Sequence, residues 1–63
     1  MTKEMFENGI RHLKLKLKES ITENDKNFYR ENLKYLQAMY MMCLVLNGIK
    51  YTELSKEEKS LLD

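Results

Sequence analysis

From Asp25 to Asn47 the apolar residues of this chain fall on two neighbouring heptad seams, and that doubling limits what the chain can fold into. The first seam is Tyr29, Leu33, Leu36, Tyr40 and Cys43, spaced 4, 3, 4 and 3. The second is Phe28, Tyr35, Met39, Met42 and Leu46, spaced 7, 4, 3 and 4. On a helix the two lie side by side and together cover about half the circumference. The remaining side is polar early, at Arg30, Glu31, Lys34 and Gln37, and turns apolar late, at Ala38, Met41 and Val45. A helix that is apolar on so many sides has to be covered on as many. One neighbouring helix of the same chain cannot do that.

The signals at both ends of this segment agree with a helix over about 25–47. Thr22-Glu23-Asn24-Asp25 has the capping-box pattern of a hydroxyl followed three residues later by an acid. Asn24 or Asp25 could serve equally as the cap. Gly48 stands where a left-handed residue closes a helix, and Ile49 can fold back on Leu44. At 1.5 Å per residue the helix is roughly 33 Å long.

The first segment supplies a partner for one seam. Phe6, Ile10, Leu13, Leu17 and Ile21 are spaced 4, 3, 4 and 4, which predicts a helix over about 3–21. A competing pattern is present. Leu13, Leu15 and Leu17 alternate with lysines as on a half-buried strand, and Asn8-Gly9 is a hairpin signal. Pairing outward from such a turn sets Phe6 opposite Arg11 and Glu4 opposite Leu13, which are poor cross-strand pairs. Lysine also favours helix over strand. The helix is therefore preferred, although Gly9 costs it about 1 kcal/mol relative to alanine. On that helix Glu7 is placed to pair with Arg11. A short third helix is predicted at about 55–62, where Ser55 and Glu58 form a second capping box. The short connection from Ile49 to Leu54 returns it to the C-terminal half of the long helix, over Met41, Val45 and their neighbours.

Size sharpens the need for a partner. A chain of 63 residues buries only about 60% of its unfolded surface. Small folds usually add disulfides, a metal or a second copy. Cys43 is the only cysteine and His12 the only histidine, so neither a disulfide nor a soft-ligand metal site is expected. Self-association remains. The expected fold is all-α: an antiparallel helical hairpin with a short C-terminal helix, pairing into a dimeric bundle through Phe28, Tyr35, Met39, Met42 and Leu46.

Chemistry is sparse. His12 falls on the solvent side of the first helix, and Cys43 lies in an apolar run as a structural thiol. Gly9 and Gly48 stand apart, so there is no phosphate-binding loop. No catalytic residue, metal or cofactor is expected. The tyrosines Tyr29, Tyr35 and Tyr40 fit helix seams, reading as core rather than as a base-stacking platform. The nine-residue run Ala38 to Leu46 is far short of the ~20 residues that span a bilayer. The N-terminus has no apolar signal region. A cytoplasmic setting is expected.

Arg11, Lys14, Lys16 and Lys18 follow one another without an intervening acid. Arg11, Lys14 and Lys18 share a helix face, and Leu15 lies beside them, turned away from the apolar stripe. Arg11, Lys14, Leu15 and Lys18 thus form a candidate docking surface for a partner. Lys+Arg number 11 against 10 Asp+Glu, a net charge of +1, which weakens a nucleic-acid reading without removing it. The expectation is a non-enzymatic interaction module, a homodimeric regulator or inhibitor of bacterial or phage type that docks on a larger protein. The alternatives are a nucleic-acid-associated protein using Arg11 to Lys18 and an obligate subunit or assembly factor of a larger complex.

Overall fold

The computed structural model describes residues 2–63. Three α-helices follow in chain order: α1 (Lys3–Glu19), α2 (Glu23–Leu46) and α3 (Lys56–Leu62), with a 3-10 turn at Tyr51–Glu53 before the last. α1 and α2 form an antiparallel hairpin, and α3 folds back against both. The molecule measures 39 × 20 × 15 Å, its length set by α2.

The helix ends are built as the residue types suggest. The Thr2 hydroxyl accepts from the Met5 N–H at 3.3 Å and starts α1. The Thr22 hydroxyl accepts from the Asp25 N–H at 3.2 Å, so Thr22 caps α2 in preference to Asn24 or Asp25, and the helix begins two residues earlier than expected. At the far end Gly48 takes φ +76°. The Gly48 N–H donates to Val45 O and the Ile49 N–H to Leu44 O, both at 2.9 Å. That pair of bonds is the Schellman closure, and it requires a residue that tolerates positive φ. Ser55 and Glu58 complete the capping box of α3, with Ser55 N–H to Glu58 Oε1 at 2.8 Å and Glu58 N–H to Ser55 Oγ at 3.1 Å.

Asn8-Gly9 makes no turn: α1 runs through it, and there is no strand among the described residues. The glycine serves packing instead. A Cβ at Gly9 would stand 2.7 Å from Leu36 Cδ2, so its absence lets the Leu36 methyl approach the α1 backbone.

The core contains Phe6 and Ile10 from α1, Leu33, Tyr40 and Leu44 from α2, and Leu54 and Leu61 from the C-terminal segment. Leu13, Leu17, Leu36, Met41 and Cys43 border it. The first seam of α2 is therefore the one that faces α1. Tyr40 and Ile10 are fully buried, each stabilising by about 2–3 kcal/mol relative to exposure. The Phe6 and Tyr40 rings pack at 6.4 Å with a 45° tilt. The Tyr40 hydroxyl donates to Glu7 Oε2 at 2.7 Å, which satisfies the one polar atom of a buried ring.

Three expectations are corrected. Ile21 is outside the α1 stripe and 90% exposed. Ser20 closes α1 in an extended conformation, its N–H bonding Leu17 O, and the chain turns before Ile21 can reach the core. α3 does not cover Val45, which is 58% exposed. It seats Leu61 in the core between α1 and α2, and Gln37 Nε2 donates to Leu61 O at 2.8 Å and Asp63 O at 3.2 Å. Tyr35 is no core residue either, being exposed on α2.

Candidate interaction surface

Two surfaces follow from the sequence, and the fold treats them differently. The second seam of α2 is left open along its whole length. Phe28 is 62% exposed, Tyr35 72%, Met39 36%, Met42 63% and Leu46 82%, with Val45 beside them at 58%. At roughly 200 Å² per fully exposed large side chain, the six present about 700 Å² of surface, above the ~300–600 Å² of the largest apolar patch on a typical monomer. No charged residue occurs from Gln37 to Ile49. Met42 and Leu46 form an i, i+4 ridge with an apolar groove on each side. One groove is lined by Phe6, Met39 and Cys43, and the other by Ala38, Met41 and Val45. Val45 belongs to this surface, and its late position on the polar side of α2 was the signal for it.

The open face follows from helix geometry. Core residues Leu33, Tyr40 and Leu44 and seam residues Phe28, Tyr35 and Leu46 lie about 150° apart around α2. α3 reaches α2 at Gln37, nearly opposite the seam. No part of the described chain is left to cover it.

The basic surface of α1 is partly consumed within the chain. The Arg11 guanidinium pairs with Glu57 and also donates to Asn8 Oδ1 at 3.2 Å. Lys14 Nζ donates to Ser60 O at 2.6 Å, a carbonyl near the end of α3, where a cation also meets the negative end of the helix dipole. Leu15 is 54% exposed, and Lys18 and His12 are exposed beside the same helix. Two of the four candidate docking residues thus hold α3 in place, while Leu15 and Lys18 stay open.

A third polar link joins the same helices. Lys3 Nζ bridges Glu58 Oε2 at 2.7 Å and Glu7 Oε2 at 3.3 Å. Glu7 therefore pairs backwards with Lys3 and sideways with Tyr40, not forwards with Arg11 as i+4 spacing suggested. The network holds the Glu58 carboxyl down at about 2, first through its bond to Lys3 and then through the Ser55 cap. Glu58 is ordinarily protonated below 4.5. A carboxyl lowered on folding stabilises the fold fully above its unfolded value, and that contribution disappears as pH falls from about 4.5 towards 2. Urea midpoints measured by circular dichroism are expected to fall across that window. Glu58→Gln, which keeps the capping box, is expected to flatten the decline.

Among the described residues no three His, Cys, Asp or Glu side chains gather as metal ligands, and no helix is long and apolar enough to cross a membrane. Cys43 is half-buried, its sulfur 3.7 Å from Asn47 Nδ2. No protein-family model matches this chain, and no curated protein or solved structure shows significant similarity to it.

Proposed function

We propose that this chain is a small non-enzymatic protein–protein interaction module, a homodimeric regulator or inhibitor of bacterial or phage type that docks on a larger protein in the cytoplasm. The exposed apolar seam of α2 is the observation that carries the reading. A patch of that size on so small a molecule marks a site of association. Self-association through Phe28, Tyr35, Met39, Met42 and Leu46 covers it. Leu15 and Lys18, on α1, are then the residues that meet the larger protein. The pairing of Arg11 with Glu57 favours a protein over a phosphate backbone as the partner, because it puts an acid on the basic face.

Sedimentation equilibrium of the full chain at micromolar concentration tests this reading. A dimer is expected, and a well-folded monomer would refute it. For the larger protein, the readout is capture from the native host by wild type compared with Leu15→Ala. Capture is expected to weaken while the dimer persists.

A further inference from the structure

The seam contains a residue that sets the direction of pairing. Phe28, Tyr35, Met39, Met42 and Leu46 leave one gap, and Asn32 fills it, giving spacings of 4, 3, 4, 3 and 4 over the six positions. All six are exposed on α2. This is an unbroken heptad seam with a single polar member. Asn32 Nδ2 donates to Phe28 O at 2.7 Å, which leaves its amide oxygen without a partner among the described residues.

We propose that the seam binds a second copy of this chain with the two α2 helices parallel and in register, and that an Asn32–Asn32 pair across the two-fold axis fixes that register. The inference rests on the self-association reading above and adds its geometry. The five large side chains of the seam offer about 600 Å² per copy, within the ~600–1,000 Å² per partner of a standard interface. It carries no charge, so facing its own image brings no repulsion along the seam. In parallel register each position meets its counterpart, and the two amides can donate to and accept from one another. In the antiparallel arrangement the same seam sets Phe28 against Leu46, Tyr35 against Met39, and Asn32 against Met42. Each copy then buries an amide against a thioether. An unpaired buried amide is costly, and a two-fold axis repeats the penalty. The helix dipoles favour the antiparallel pair, but their effect is confined to the terminal turns and screened by salt. The amide decides the direction.

Disulfide trapping reads the register directly. In a Cys43→Ser background that keeps Asn32, Met42→Cys brings two thiols within the 4.4–6.8 Å Cα separation a disulfide allows if the helices are parallel. The antiparallel pair leaves them about 15 Å apart along the axis. Met42 is exposed, so the protomer keeps its core. Under mild oxidation Met42→Cys is expected to form covalent dimer at least tenfold faster than Lys34→Cys, an exposed position on the other side of α2. Equal rates would overturn the proposal. So would a mixture of Phe28→Cys and Leu46→Cys chains, each keeping Asn32, that yields mainly the mixed disulfide. Sedimentation of the unmodified chain separates the two levels: a monomer overturns self-association and the register with it. A dimer that Met42→Cys fails to trap overturns the register alone.

Discussion

Met39→Asp is expected to convert the proposed dimer to a monomer without unfolding it. Met39 belongs to the open seam and contributes little to the core. In the dimer the substitution places two carboxylates in a face with no cation nearby, since no charged residue occurs from Gln37 to Ile49. A buried charge without a partner costs about 3 kcal/mol or more, roughly a hundredfold in Kd. Sedimentation equilibrium should show the mass halved while circular dichroism retains the helical signal. Leu46→Asp should act in the same way, from the most exposed large residue of the seam, at 82%. It also adds an acid to the last turn of α2, where the helix dipole disfavours it by about 0.3–1 kcal/mol. Met39→Asp is therefore the cleaner probe of association. Unchanged mass for both variants would show that the seam is not the dimer interface.

Tyr40→Ala is expected to have the largest effect on the fold itself. The side chain is fully buried, packs on Phe6 and donates to Glu7. Removing it costs about 3–5 kcal/mol by the usual scale for large-to-small core changes. A domain of this size has a total stability of only about 3–9 kcal/mol. The variant should lose half or more of its stability and unfold at a much lower urea concentration than the wild type. Tyr40→Phe keeps the ring and loses one hydrogen bond, so its cost should be about 1 kcal/mol. Urea denaturation of the two variants separates packing from hydrogen bonding. The same residue sets an alkaline limit. Burial, and then the bond to Glu7, push the Tyr40 phenol well above its ordinary 10. A raised phenol stabilises the fold below its unfolded value, and that contribution is lost progressively as pH rises above 10. Tyr40→Phe should remove this alkaline loss.

Local signals in the chain predicted the elements well. The stripe of Phe6, Ile10, Leu13 and Leu17, the two seams of α2, the Gly48 closure and the Ser55 cap were all legible, because each depends on residues within a turn or two of one another. Ile21 was misplaced because its spacing is helical but the backbone has already left α1 at Ser20. The seat of α3 was misjudged for a different reason. It is held by Lys3, Arg11, Lys14 and Gln37, and no periodicity reports which distant carboxylate or carbonyl a side chain will find. Gly9 was legible as a cost to α1, whereas its use, the close approach of Leu36, exists only once two helices meet. For the candidate surface, the heptad spacing marked both seams of α2, but which one faces outwards depends on how α1 and α3 pack against it. Asn32 was not legible because an apolar pattern skips a polar member, here the one on which the proposed register rests.

The polar links from α1 to α3 join residues 46 positions apart in two of the three cases. The hairpin of α1 and α2 closes across a three-residue turn, so it can form early from near neighbours in the chain. α3 has seven residues, too few to hold a helix alone in water. It can order only after the hairpin has built the groove that receives Leu61. With the hairpin in place only the connection from Asn47 to Ser55 remains to be ordered, a cost that Leu54, Leu61 and a few half-exposed ion pairs offset. Folding therefore proceeds from the hairpin outwards, and opening runs in reverse. The last helix to dock is the first to leave, so its amides exchange with solvent through a local excursion. Those around Tyr40 must wait for the whole molecule to come apart.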